Sequence, residues 1–105
     1  MYGNLIQAIQ NLSLSYKEQK ALMPDFVDVF DEINMDFMEA VSFLPQIMED
    51  INLPYSSIKN ILNCYFKIDF NLRDETLRSD EAFEHHQKWT EIREIAKEII
   101  KDFKI

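Results

Sequence analysis

Glycine occurs once in 105 residues, at Gly3, and cysteine once, at Cys64. Few turns can therefore need a positive φ, which disfavours hairpins and Gly-dependent phosphate loops and favours helices with short connections. A lone thiol closes no internal disulfide, so nothing ties the chain to an oxidising compartment. No basic n-region precedes an apolar segment, and no apolar run approaches the ~20 residues of a membrane span; a soluble cytoplasmic protein is expected. The three prolines, Pro24, Pro45 and Pro54, all lie in the middle. A last absence concerns charge. Between Lys20 and Lys59 there is no basic residue, while Asp25, Asp28, Asp31, Glu32, Asp36, Glu39, Glu49 and Asp50 are all present. The flanks balance, so the whole net charge of −8 falls in this stretch.

What is present is apolar enough for one core: 47% of the residues are hydrophobic, which argues against disorder despite the acidity. The expected fold is all-α, a single helical domain over residues 1–105 with four to five helices. Leu5, Ile6, Ile9 and Leu12 place a first helix over Asn4 to Asn11. Ser15 and Glu18 form an S-x-x-E capping box for a second, whose apolar positions are Leu22, Phe26, Val29, Phe30 and Ile33. Pro24 disfavours helical geometry at Met23, so a break is expected there, with a better helix from Pro24 to Ile33.

Asp36 and Glu39 can start a third helix in the same way, burying Phe37, Ala40, Val41, Leu44, Ile47, Met48 and Ile51 and bending at Pro45. Pro54 suits the first turn of a fourth, running to about Asp69 and burying Ile58, Ile61, Leu62, Tyr65 and Phe66. Residues 69–79 read as a loop. Ser79 can cap the last helix, with the seam Trp89, Ile92, Ala96, Ile99 and Phe103 and an outer face interleaving Glu91, Glu94 and Glu98 with Arg93, Lys97 and Lys101. Lys101 and Lys104 then suit the C-terminal end of its dipole.

On these helices Asp36 and Glu39 occupy a favourable N-terminus, whereas Asp31, Glu32, Glu49 and Asp50 occupy C-terminal ends that disfavour negative charge. Acids at the wrong helix ends, with no local cation, fit a surface kept for a partner. They equally fit a solubilising surface, or pairing in three dimensions with Arg73 or Arg78. A one-signed surface speeds encounter with a basic protein and repels nucleic acid and anionic membrane, so a basic protein partner is expected, with no direct nucleic-acid or membrane binding. The candidate partner-binding residues are Asp28, Asp31, Glu32, Asp36, Glu39, Glu49, Asp50 and Tyr55, the last as an aromatic anchor after Pro54.

The segment from Met35 to Leu44 (M-D-F-M-E-A-V-S-F-L), followed by Ile51-Asn-Leu-Pro-Tyr-Ser56, resembles small all-helical immunity proteins that neutralise contact-dependent and related secreted toxins in bacteria. The shared features are an aromatic residue with Glu-Ala and a Leu in a helix, an acidic helix end, and a Leu-Pro-x-Ser turn into the next helix. Residues 69–105 have no counterpart. The resemblance implies a protein that binds and blocks a toxin domain, often a basic nuclease, without chemistry of its own.

No catalytic role is expected elsewhere. His85 and His86 are adjacent, about 100° apart on a helix, and cannot share one ion; a partly buried His86 or a Glu81 to His85 surface pair is the ordinary reading. No helical Glu-x-x-His pair, P-loop, nucleophile elbow or zinc pattern occurs, so no metal or cofactor is expected. Cys64 has no base beside it and reads as a structural thiol. Alternatives to the inhibitor are a DNA mimic or phage-type modulator of a nucleic-acid-binding protein, and a structural homo-oligomer using its aromatic-rich surface. The sequence leaves the partner's identity and the oligomeric state open.

Overall fold

Four long helices surround the core of the computed structural model, which describes residues 1–103: α1 (Tyr2–Ser13), α3 (Val29–Ser42), α5 (Tyr55–Leu72) and α7 (Gln87–Phe103). Three short ones join them: α2 (Tyr16–Ala21), α4 (Leu44–Asp50) and α6 (Asp80–His85), with a single 3-10 turn at Glu75–Leu77. The all-α expectation holds, with no strand among the described residues. The count does not: these residues form seven α-helices rather than four or five. The extra ones arise because two expected helices break, one before Pro45 and one at His86.

Packing runs as a ring, α1 against α7, α7 against α5, α5 against α3, and α3 against α1. Each long helix buries a stripe at three- and four-residue intervals. On α1 it is Leu5, Ala8, Ile9 and Leu12; on α7 it is Trp89, Ile92, Ala96 and Ile99, as the periodicity predicts. Each large apolar side chain so buried stabilises the fold by about 1.5–3 kcal/mol before entropy is counted. Where α3, α6 and α7 meet, the rings of Phe30, Phe83 and Trp89 stack edge to face at centroid distances of 5.2–5.5 Å. Trp89 Nε1 donates to the Leu77 carbonyl at 2.9 Å, which ties the 3-10 turn to the core. Residues 69–79 are thus partly ordered by α5 and this turn, and are not simply a loop.

The predicted capping box is present: Ser15 Oγ accepts from Glu18 N–H at 3.2 Å, and Glu18 Oε1 accepts from Ser15 N–H at 3.0 Å. Downstream the breaks move. Residues 22–28 are irregular, so the expected helix from Pro24 to Ile33 does not form. Instead Asp28 caps α3, its Oδ1 accepting from Asp31 N–H at 3.2 Å. Leu22 and Phe26, read as core positions, are exposed, Phe26 by 89%.

Pro45 ends α3 rather than bending it, since a proline in mid-helix removes a hydrogen bond and clashes with the turn before. The chain breaks at Phe43 and Pro45 enters the first turn of α4. Met48, expected in the core, is exposed, and Ile51 is only partly buried.

α5 buries Ile61 as predicted, and Ile58 and Tyr65 in part, but the buried stripe is rotated: Ser57, Ile61, Cys64, Ile68 and Asn71 point inward, while Leu62 and Phe66 face out. The inward set contains small side chains, which let α7 approach closely enough for Cys64 Sγ to lie 3.8 Å from the Ile92 carbonyl.

Ser79 caps α6, its Oγ accepting from Ala82 N–H at 3.1 Å, and not the last helix. α7 begins afresh after His86, whose Nδ1 accepts from Lys88 N–H at 3.1 Å. His86 is exposed, not partly buried, and His85 contacts Glu84 rather than Glu81, at 3.4 Å. Arg93, assigned to the solvated face, is 7% exposed and belongs to the core. Lys104 lies outside the described residues. No helix among them is long and apolar enough to cross a membrane.

Candidate partner-binding surface

α3 brings five of the eight candidate residues onto one helix. Phe30, Ile33, Phe37, Ala40 and Val41 fix its inner face, which turns Asp31, Glu32, Met35, Asp36 and Glu39 to solvent, with Asp28 at its start. At about 1.5 Å per residue the carboxylates from Asp28 to Glu39 span roughly 16 Å. The aromatic cluster around Phe30 anchors the N-terminal half of this array, so its geometry is set by the core.

The register reverses the dipole assignments made from sequence. Asp31 and Glu32 sit in the first turn of α3, where their charge is favourable, rather than at a helix end that disfavours it, and Asp28 caps that turn. Asp36 and Glu39 are in mid-helix and cap nothing. Burial, followed by repulsion from Glu32 and Glu39, holds the Asp36 carboxyl above its ordinary value. Only Glu49 and Asp50, exposed in the last turn of α4, keep the unfavourable position. They and Tyr55, 81% exposed at the start of α5, belong to other elements than the α3 array.

Among the described residues the ion pairs all lie outside residues 21–58. Arg73 pairs with Asp69 at 2.9 Å and Arg78 with Glu75 at 3.5 Å. Arg78 does share a shallow hollow with Asp28 and Asp31, but its near partner is Glu75. Neither arginine neutralises the acidic stretch in an ion pair.

Beside α3 a groove of ≈ 300 Å³ opens between it and α1, lined by Asn4, Gln7, Asn11, Asp36, Glu39 and Phe43, together with Ala8 and Ala40. Two carboxylates, three amides and, among the described residues, no cation face it. Amide oxygens and carboxylates accept hydrogen bonds from ammonium or guanidinium groups. At the other end of α3, Phe26 projects from the 22–28 loop between Asp25 and Asp28. Sequence reading missed Phe26 because it fits the helical spacing. The signal available was Asp28 three residues before Asp31, a cap that puts Phe26 outside the helix.

No group of three or more His, Cys, Asp or Glu side chains suited to a metal ion occurs among the described residues. Cys64 is buried and its thiol is pushed up to about 12 by desolvation. Comparison of the chain with protein-family models, curated proteins and solved structures finds no match.

Proposed function

We propose that this protein is a non-catalytic acidic inhibitor that occupies a basic protein partner with the exposed face of α3, in the manner of an immunity protein that covers the active site of a bacterial toxin domain, a nuclease. The observation that carries this reading is the mid-helix pair Asp36 and Glu39, with Glu32, which have no cation in ion-pair contact among the described residues; desolvation first, and then repulsion from Glu32 and Glu39, raises Asp36. A solvated helix ordinarily offsets such acids with Lys or Arg at four-residue spacing. Here the compensating charge is the partner's, and the groove between α1 and α3 receives one of its Arg or Lys side chains. Phe26 and Met35 supply apolar contacts within the charged field, the pairing of anchor and rim that specific interfaces use.

The straight run of carboxylates along α3 supports a second reading, a DNA mimic or modulator that occupies a nucleic-acid-binding protein. Both readings share a basic partner and differ in what that partner does.

Co-expression with the toxin encoded by a neighbouring gene tests the proposal. Protection should saturate at a fixed stoichiometry, without turnover, and should be lost when Glu32, Asp36 and Glu39 are reversed to Lys, while Glu91→Lys on α7 leaves it intact. Protection indifferent to the α3 reversals would sink the assignment of this face. A partner that binds the chain only in competition with DNA favours the mimic.

A further inference from the structure

α5 carries, opposite its buried face, a second seam left exposed among the described residues. Tyr55, Lys59, Leu62, Phe66, Asp69 and Arg73 recur in alternating four- and three-residue steps, the spacing by which one helix lies along another. Leu62, Phe66 and Phe70 are exposed on this side, Phe66 by 64% and Phe70 by 66%. The Lys88 ammonium lies over the Phe70 ring, 5.8 Å from its centroid.

We infer that this face is the self-association surface of the protein, in which α5 packs antiparallel against α5 of a second copy about a two-fold axis level with residue 64. In that register Leu62 meets Phe66 of the second copy, while Lys59 faces its Asp69 and Tyr55 its Arg73, each contact occurring twice. The charge order makes the second copy the fitting occupant. Lys59 lies toward the N-terminal end of the seam and Asp69, beside Arg73, toward the C-terminal end, so Lys59 and Asp69 are set opposite one another when the helices run in opposite directions. Such a pairing of one patch with its own copy is the isologous contact that closes a dimer.

Net charge points to the same face. The protein as a whole is −8 and repels its own copies. Residues 59–73 hold Lys59, Lys67 and Arg73 against the single acid Asp69, so this face contributes no net negative charge to that repulsion. Within one chain Asp69 already accepts from Arg73 at 2.9 Å. The surface uses none of the carboxylates of α3 and is independent of the inhibitor reading.

Sedimentation equilibrium of the full chain tests the inference, with circular dichroism confirming that each variant stays helical. The wild-type chain should be dimeric at submillimolar concentration, and Phe66→Glu monomeric. Lys59→Asp and Asp69→Lys should each raise the dimer dissociation constant about tenfold or more, because each sets like charges opposite one another twice. The double variant Lys59→Asp/Asp69→Lys should return to within about threefold of wild type, since losing the exposed cis pair with Arg73 costs little. A monomeric wild-type chain, a dimer indifferent to Phe66→Glu, or a double variant no better than the single ones overturns the inference.

Discussion

The guanidinium of Arg93 lies over the Phe83 ring, 4.5 Å from its centroid, while its Nε donates to the Leu14 carbonyl at 3.1 Å. One side chain on α7 therefore holds the end of α1 and the top of α6 at once. It satisfies a carbonyl left free where α1 stops, and it covers an aromatic face with a cation that burial holds below its ordinary pKa.

Arg93→Ala is accordingly expected to lower stability by about 2–3 kcal/mol, because it leaves the Leu14 carbonyl unpaired and opens a cavity beside Phe83. Arg93→Met should lose less, since it keeps most of the volume. Arg93→Lys should still lose stability, since a lysine cannot lay a planar fork on the ring. Urea midpoints at constant m-value measure the series. An alanine variant as stable as wild type would show that the contact with Leu14 contributes nothing.

The raised pKa of Asp36 sets the sign of one pH dependence. Its native value lies above its unfolded one, so the native chain holds the proton more tightly, and the stability contributed by this group falls as pH rises from about 3.9 through the native value. The penalty is then fully present at neutral pH. Asp36→Asn should raise the urea midpoint at neutral pH and lose that advantage under acid conditions. Glu18 and Asp74 run the other way: the hydrogen bonds they accept from Ser15 and Thr76 lower their pKa values, and their contribution disappears as pH falls through the native values. A midpoint for Asp36→Asn that stays above wild type by the same margin in acid would contradict the assignment.

Cys64 should be inert while the chain is folded. With the thiol pushed up to about 12 and no exposed surface, it is neither ionised nor accessible near neutral pH. A chromogenic disulfide reagent should react at a rate limited by opening of the α5–α7 contact, and at full speed in denaturant. Fast reaction in native buffer would mean that α5 separates readily from α7.

Local chemistry was legible where its causes are local. The Ser15–Glu18 box forms because both partners lie within one turn, and the α7 seam is buried because Trp89, Ile92, Ala96 and Ile99 offer a single unambiguous stripe. The all-helical class follows from one glycine, three central prolines and that periodicity. The one-signed character of residues 21–58 is read directly from the absence of Lys and Arg between Lys20 and Lys59.

Competition between equivalent local signals was settled only by packing. Asp28 with Asp31, and Asp36 with Glu39, present the same capping spacing, and either pair can begin a helix. The anchoring of Phe30 between Phe83 and Trp89 places the start at Asp28, which turns two supposed caps into an exposed mid-helix pair. On α5 two apolar stripes coexist, and the more aromatic one lost because Ser57 and Cys64 allow closer approach of a neighbouring helix than Leu62 and Phe66 do. Arg93 reads as solvated until the Leu14 carbonyl, 79 residues away in sequence, is set beside it. Capping depends on neighbours three residues away, whereas the choice of a buried face depends on the shape of another helix, which only tertiary structure brings into contact.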